Sequence, residues 1–349
     1  MKTLLTNRVL TLCAYSLVLI LLVASCAEEP LEDIQPKLEQ GLINYNGLQV
    51  RHDLSKVPEN GLYLSPDELT NLLLRKINEG GQSTFTAIQD IPLPVESEIT
   101  RLADEVALDY PANVYEPTES EADQIRSQFP GMSDEAIDEN LETIEAYYEA
   151  VKSYMIIESI AAMVKGGPTM GGNVEYSVGP LCNHEWDFMK KHLTRLEMAR
   201  EATNHASSEA IRRYPNDNGG NGPRDAFRHA AWNLLLAKRF ARRKMDIGKG
   251  IDFAKGLADA HERCNLDDGQ AAIYSHMDYR NNHVGRELFR STAYISTSGK
   301  WPFRRRTIHY YTDELYYNII KNKVDQAAIV AQNLRAIWAI PNTRMVRFR

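Results

Sequence analysis

The sequence predicts a mainly α-helical protein, a multi-helix orthogonal bundle with little or no β-sheet. Apolar residues recur at intervals of three and four over long stretches, as from Leu69 to Ile77. Helix-start signals precede such stretches, because Ser65 and Glu68 have the spacing of a capping box. Strand signals are scarce, and the best candidate, Thr307 to Tyr311, is weak.

The predicted helices follow one another along the chain. The first begins at Ser65, and shorter helices are expected near 95–109 and 119–128. A long helix begins at Ser133, with acidic residues in its positively charged first turn, and ends before Gly166. The second half predicts helices near 185–213, 223–243, 248–263, 270–290 and 312–338.

The N-terminus has the arrangement of a bacterial lipoprotein signal peptide. An apolar run over residues 9–23 follows two cationic residues and ends at Val-Ala-Ser-Cys, whose cysteine is Cys26. The run is shorter than the roughly 20 residues that span a bilayer, so we expect residues 1–25 to be removed. An uncleaved helical anchor is the alternative. These residues resemble the lipobox of bacterial lipoproteins, which implies lipid attachment at Cys26.

Composition divides the remaining chain into three parts. Residues 26–60 mix acidic residues, proline and glycine, which predicts a lipidated Cys followed by a flexible acidic tether. Residues 61–168 predict an acidic N-terminal helical region, and residues 169–349 a C-terminal helical domain. Ala27 differs from the Asp associated with inner-membrane retention, so the lipobox resemblance implies an outer-membrane anchor, with the following acidic residues resembling a surface-export signal.

Charge is unevenly distributed along the chain. The net charge of −7 disfavours nucleic acid as a partner. Acidic residues concentrate in 94–150 and basic residues in 184–309. We expect these two segments to pack against each other, although solvated helix faces would give the same pattern.

Two cysteines remain as side-chain thiols after Cys26 is lipidated, namely Cys182 and Cys264. Export to an oxidising compartment permits a disulfide, but the sequence leaves open whether they approach each other. No cysteine pair has zinc-site spacing, which excludes a cysteine-based metal site.

Three predicted helices carry polar residues at helical spacing among apolar ones. The first block reads Asp-Ala-Phe-Arg-His-Ala-Ala-Trp from Asp225, the second Asp-Ala-His-Glu from Asp259, and the third Met-Asp-Tyr-Arg-Asn-Asn-His-Val-Gly-Arg from Met277. Burying ionisable groups is costly unless they are paired, so we expect these helices to turn their polar residues toward one another. The candidate site residues are Asp225, Arg228, His229, Asp259, His261, Glu262, Asp278, Asn281, Asn282 and Arg286.

Together the three blocks resemble a bacterial family of unknown function with the signature Asp-Ala-Phe-Arg-His-Ala-x-Trp, Asp-Ala-His-Glu and Met-Asp-x-x-Asn-Asn-x-x-Gly-Arg. The resemblance covers about residues 185–290. Members of that family look like all-helical domains in secreted or surface proteins. The resemblance therefore implies a fold and a site location without naming a reaction.

Hydrolysis is the first function that this site predicts. One of two histidines, His229 or His261, would act as the general base, oriented by Asp225 or Asp259. An arginine from the first or third block would hold an anionic or ester-bearing envelope substrate.

A divalent metal is the cofactor that these residues allow. His261 and Asp278 would ligate it, together with His229 or Glu262, and it would generate a nucleophilic water. The spacing does not match His-Glu-x-x-His, so the familiar zinc-protease motif is excluded. The alternative is a noncatalytic structural or binding lipoprotein whose polar cluster is a buried hydrogen-bond network. Substrate, oligomeric state and protein partners are not defined by the sequence.

Overall fold

A computed structural model describes residues 40–79, 85–86, 96–165, 182–217, 220–329, 335, 337, 339–341 and 344–348. Helices dominate this part of the chain, and the mainly helical prediction is confirmed. None of its helices is both long and apolar enough to cross a membrane. The helices are α1 (Pro66–Asn78), α2 (Glu96–Ala107), α3 (Glu119–Gln128), α4 (Asp134–Glu139), α5 (Leu141–Lys165), α6 (Asn183–Met189), α7 (Leu196–Arg213), α8 (Pro223–Lys244), α9 (Ile247–Asp267), α10 (Ala272–Thr292) and α11 (Asp313–Asp325).

The strands of the described residues form three two-stranded sheets. They are β1 (Gln40–Tyr45), β2 (Leu48–Asp53), β3 (Tyr294–Ser298), β4 (Arg305–His309), β5 (Ala328–Ile329) and β6 (Val346–Arg347). β3 and β4 are antiparallel, whereas β5 and β6 are parallel. The predicted strand at Thr307–Tyr311 overlaps β4 but begins two residues late. Short 3₁₀ helices lie at Glu59–Tyr63 and Leu193–Arg195.

The predicted tether is wrong over residues 40–60. β1 and β2 form a hairpin around Asn46 and Gly47, which both have positive φ, as an Asn-Gly hairpin turn requires. The side chains of Tyr45, Val50 and Val57 are buried. Alternating apolar residues are a strand pattern, and burying them binds this segment to the core. Residues 26–39, with Cys26, lie outside the described residues.

Two long predicted helices are interrupted. The one from Ser133 divides at Asn140, which ends α4 by donating from its side-chain amide to the Ala136 carbonyl. The one over 185–213 divides into α6, a 3₁₀ turn and α7, with the backbone non-helical at His192. Short polar side chains compete with the helix for backbone partners, which explains the first break.

The last predicted helix, 312–338, is too long, because α11 ends at Asp325 and β5 begins at Ala328. In contrast, α8, α9 and α10 match the predicted helices at 223–243, 248–263 and 270–290 within a few residues. Residues 41–349, which include both predicted helical parts, form one compact unit.

The acidic helices do pack against the basic half, as the charge distribution predicts. Glu142 and Glu145 of α5 pair with Lys249 at 2.9 Å and with Lys244 at 2.7 Å. Glu149 of the same helix pairs at 2.9 Å with Arg195, whose side chain is almost fully buried. Buried pairs contribute more to positioning than exposed ones, because solvent screens them less.

The core centres on α8, which packs against α7, α9, α10 and α11. Two glycines allow its close neighbours to approach. A Cβ at Gly285 of α10 would lie 2.0 Å from the carbonyl oxygen of Ala230, and one at Gly250 of α9 would lie 2.3 Å from that of Ala237. Backbone therefore meets backbone at both helix crossings, and neither side has a flexible side chain that could move aside.

We expect Gly285→Ala to lower the free energy of unfolding by about 1–3 kcal/mol, the usual cost of overpacking a core. Gly220→Ala is the matched control, since nothing lies within 4 Å of the added Cβ. Urea unfolding of both variants measures the difference. Equal stability of the two variants would contradict the close helix contact.

Candidate functional site

The site begins at the N-terminal end of α8, where sequence and capping fix the helix start. Asp217 accepts a hydrogen bond from the Arg224 backbone N–H at 2.8 Å, and Pro223 occupies the first turn. Asp225 and His229 then fall one turn apart on the same face. Because α8 is buried over most of its surface, these polar groups meet partners from other helices rather than water.

Helices α8, α9 and α10 bring eight polar side chains together, named here the polar cluster. All except Arg228 belong to buried residues, and the Arg228 side chain retains 36% of its exposure. The cluster therefore reaches solvent through this arginine. Its members are Asp225, Arg228, His229 and Asn233 of α8, Glu262 of α9, and Asp278, Asn282 and Arg286 of α10.

His229 lies at the centre of the polar cluster, and its neighbours define its tautomer. Arg228 Nη2 lies 2.8 Å from His229 Nε2, and a guanidinium only donates, so Nε2 carries the lone pair. Nδ1–H then donates to Asn282 Oδ1 at 3.3 Å. Arg228 Nη2 also donates to Asp225 Oδ1 at 2.6 Å. The ring is thus held with an electron pair facing the solvent-reaching side of the cluster.

A chain of amides supports Asn282 from behind. Asn233 donates to Asn282 Oδ1 at 2.7 Å, and Asn233 Oδ1 accepts from Arg286 at 2.5 Å. Asn282 in turn donates to Glu262 Oε1 at 3.4 Å. Arg286 can only donate, so it orients the amide of Asn233, and Asn233 in turn orients Asn282 and the bond to His229.

Burial shifts the protonation of the ionisable groups in the cluster. Desolvation, reinforced by the Arg228 cation, holds the pKa of His229 well below its usual value, which keeps the imidazole neutral. Burial and the neighbouring Asp225 and Glu262 carboxylates raise the pKa of Asp278 well above its usual value. Burial raises the pKa of Glu262 to about 7.

The hydrogen bonding of the cluster is incomplete on one side. Asp278 Oδ1 is buried without a hydrogen-bond partner, 3.4 Å from His229 Nε2. The buried Trp232 Nε1 and Ser275 Oγ also lack partners. Leaving such groups unpaired costs free energy that a purely structural network would recover by pairing them.

Two predicted site residues lie apart from the centre of the cluster. Asp259 is partly exposed and pairs with Lys255. Asn281 is buried, but it donates to the backbone carbonyl of Val346 at 3.0 Å and accepts from the same residue's N–H at 3.1 Å. It therefore joins β6 to α10 rather than contributing to the chemistry of the cluster.

The predicted role of His261 as a metal ligand beside Asp278 is not supported. His261 Nδ1 lies 2.8 Å from Glu185 Oε1, and its ring meets the Trp232 indole edge-on. Among the described residues, two sets of potential ligand atoms lie within 4.8 Å of one another, Asp225 with His229 and Asp278, and Glu185 with Cys182 and Cys264, and neither set contains His261. Histidine spacing along the chain could not show that His261 turns toward α6.

The structure adds Asn233 to the site and explains the position of Glu185. Asn233 lies one turn beyond His229, so the same helical spacing that identifies Asp225 would have found it. Glu185 is held near α9 by a disulfide between Cys182 and Cys264, whose Cα atoms are 6.2 Å apart. The pairing left open by the sequence is therefore present.

Comparison with known proteins gives a match to a family model over part of the chain and no activity. Residues 186–324 match the model of a domain of unknown function, DUF6973, and this segment contains the whole polar cluster. No curated protein matches the chain. A chain of the structure "Human WLS in complex with WNT8A" aligns with 46% of this chain and 69% of its own length, at 14% identity and a TM-score of 0.37. So low a TM-score supports no inference.

The raised pKa of Glu262 predicts how stability depends on pH. Unfolded Glu ionises near 4.5 and the folded residue at about 7, so its contribution to stability is complete below 4.5 and is lost as the pH rises through 7. Between these values we expect the native chain to lose up to about 3 kcal/mol relative to Glu262→Gln. Urea unfolding in EDTA at several pH values measures both slopes.

Replacing the Glu262 carboxyl with an amide can change the free energy of unfolding by an amount that does not depend on pH. Comparing how the free energy of unfolding of the two proteins changes with pH removes this constant difference. Parallel pH curves for the native chain and the Glu262→Gln variant would contradict the raised pKa.

Proposed function

We propose that the protein is a lipid-anchored envelope hydrolase that acts on an anionic ester. The observation that carries this proposal is the neutral His229, whose Nε2 lone pair faces Arg228 and the Asp225 and Asp278 carboxylates. A reaction that activates water needs such an electron pair, and groups of mutually perturbed ionisable residues mark functional sites more often than chance.

Arg228 provides the link between the buried centre and a substrate. Its side chain is the exposed member of the polar cluster, and its guanidinium lies 2.8 Å from Nε2. Guanidinium groups bind phosphate and carboxylate oxygens through paired hydrogen bonds. An anionic group held by Arg228 would lie next to His229, which supports a substrate that carries negative charge close to its scissile bond.

A noncatalytic structural or binding lipoprotein is the second candidate, and one observation favours it. The bonds joining Arg286, Asn233, Asn282 and Glu262 form a buried chain between α8, α9 and α10. Such a network fixes helix register on its own. It does not account for the unpartnered Asp278 Oδ1, which is why hydrolysis is the preferred proposal.

The envelope location rests on the lipobox at Cys26, and the Cys182–Cys264 disulfide supports it, because disulfides persist in oxidising compartments. Placement at the outer membrane is part of the same proposal.

We expect the cell-expressed full chain to enter the detergent phase on Triton X-114 partition. Cys26→Ser should shift it to the aqueous phase, or leave its signal uncleaved, as read by mass spectrometry. Cleaved native protein found in the aqueous phase would refute lipidation.

Hydrolysis is tested with the purified full chain in detergent on p-nitrophenyl phosphate, bis-p-nitrophenyl phosphate and p-nitrophenyl butyrate. We expect turnover of a phosphoester and a loss of about 10²- to 10⁴-fold in His229→Ala, the contribution typical of a group that activates water. His205→Ala is the matched control, since His205 is an exposed helical histidine outside the polar cluster.

Circular dichroism establishes that each variant is folded. If His229→Ala does not fold, Arg228→Met provides the second variant at the exposed edge of the cluster. The hydrolase proposal fails if none of the esters is turned over, or if both cluster variants retain full activity.

A further inference from the structure

We propose that the polar cluster binds one divalent transition-metal ion through a carboxylate oxygen of Asp225, a carboxylate oxygen of Asp278 and Nε2 of His229. These three ligand atoms lie within 4.8 Å of one another. A role for the ion in turnover rests on the proposed hydrolysis, whereas binding of the ion to the polar cluster does not.

The first support is the arrangement of electron pairs. His229 Nε2 lies 3.4 Å from Asp278 Oδ1 and 3.6 Å from Asp225 Oδ1. With Nδ1–H directed to Asn282, Nε2 of His229 presents a lone pair to the two carboxylates. Asp278 Oδ1, in a residue that is 3% exposed, has no hydrogen-bond partner. A metal ion bound by these three atoms would give the buried Asp278 oxygen a partner and would stabilise its ionised form, which burial alone disfavours.

The second support is that a cation already occupies part of this space. Arg228 Nη2 lies 2.6 Å from Asp225 Oδ1 and 2.8 Å from His229 Nε2, so the guanidinium takes two of the three proposed ligand atoms. It leaves Asp278 Oδ1 without a partner. Because the Arg228 side chain is 36% exposed, it can turn toward solvent when a metal ion replaces it.

The third support is the environment behind the histidine. Metal-binding histidines commonly donate their second ring N–H to a fixed acceptor, which sets the tautomer and the ring orientation. Asn282 Oδ1 plays this role here, and Asn233 holds it at 2.7 Å. Gly285 brings α10 against α8, so Asp278 is positioned by backbone contact rather than by a flexible loop.

The ligand types determine the class of ion. One imidazole with two carboxylates suits Zn²⁺ and Mn²⁺ better than Ca²⁺, which takes oxygen ligands only. Three protein ligands leave a coordination position for water, as in catalytic zinc sites. The two further candidate ligands near Glu185, Cys182 and Cys264, are bonded to each other and are not available to a metal.

The test is calorimetric titration of the full chain in detergent, freed of metal with EDTA and then dialysed, with ZnCl₂ and with MnCl₂. We expect one ion bound per chain and a rise in melting temperature with the ion, because a ligand that prefers the folded state stabilises it. Asp278→Asn should weaken binding at least about tenfold. Asp268→Asn, an exposed aspartate beyond the end of α9, should leave it unchanged.

The Arg228→Met variant distinguishes a metal site from a purely structural ion pair. Removing the competing cation should strengthen ion binding at least about tenfold, since two ligand atoms are released and a repelling charge is lost. A structural ion pair predicts only a lower melting temperature. Asp225→Asn is the second ligand variant if Asp278→Asn does not fold by circular dichroism.

These measurements distinguish metal binding from ester hydrolysis. The ion proposal is overturned if neither metal gives heat or a melting shift with the native chain and Arg228→Met, or if Asp278→Asn and Asp225→Asn bind normally. Stoichiometric binding that these ligand variants lose, without turnover of any ester, supports the ion and refutes hydrolysis. Turnover that persists in EDTA, with no ion bound, supports hydrolysis and overturns the ion.

Discussion

The contact between Gly285 and the carbonyl of Ala230 is the constraint on which the site depends. It lets α10 approach α8 until backbone meets backbone, and Asp278 and Asn282, each within two turns of that glycine, then reach His229. Helix pairs separated by ordinary side chains lie 8–10 Å apart. Because glycine lets the two backbones come closer than this, the short side chains of Asp278 and Asn282 can reach His229.

The hydrogen bonds of the polar cluster are more complete on one side of the His229 ring than on the other. On the Nδ1 side, hydrogen bonds connect His229 to Asn282, Asn282 to Asn233, and Asn233 to Arg286. On the Nε2 side, a carboxylate oxygen is buried without a partner. Proteins depart from complete pairing mostly where function requires it, since each orphaned group lowers stability. The side of the ring that costs stability is also the side that reaches solvent through Arg228.

Much of this organisation could be predicted from the sequence because helical spacing is a local property. The period of α8 places Asp225 and His229 on one face, and the three helices lie where their apolar residues predict. Which neighbour each face meets is not local. His261 turns to Glu185, and Asn281 turns to Val346, because of the way α6 and β6 pack, which no spacing reveals.

The disulfide between Cys182 and Cys264 has a topological consequence. It closes a covalent ring that contains α6, α7, α8 and most of α9, and also the turn that joins α7 to α8, in which Pro215, Asn216 and Gly220 are exposed. A protease that cuts the backbone once within that turn opens the ring but releases no fragment. The whole polar cluster lies on the C-terminal side of such a cut, and the disulfide keeps it covalently joined to α6 and α7, which pack against α9 and α8. A nicked chain therefore keeps Glu185 beside His261.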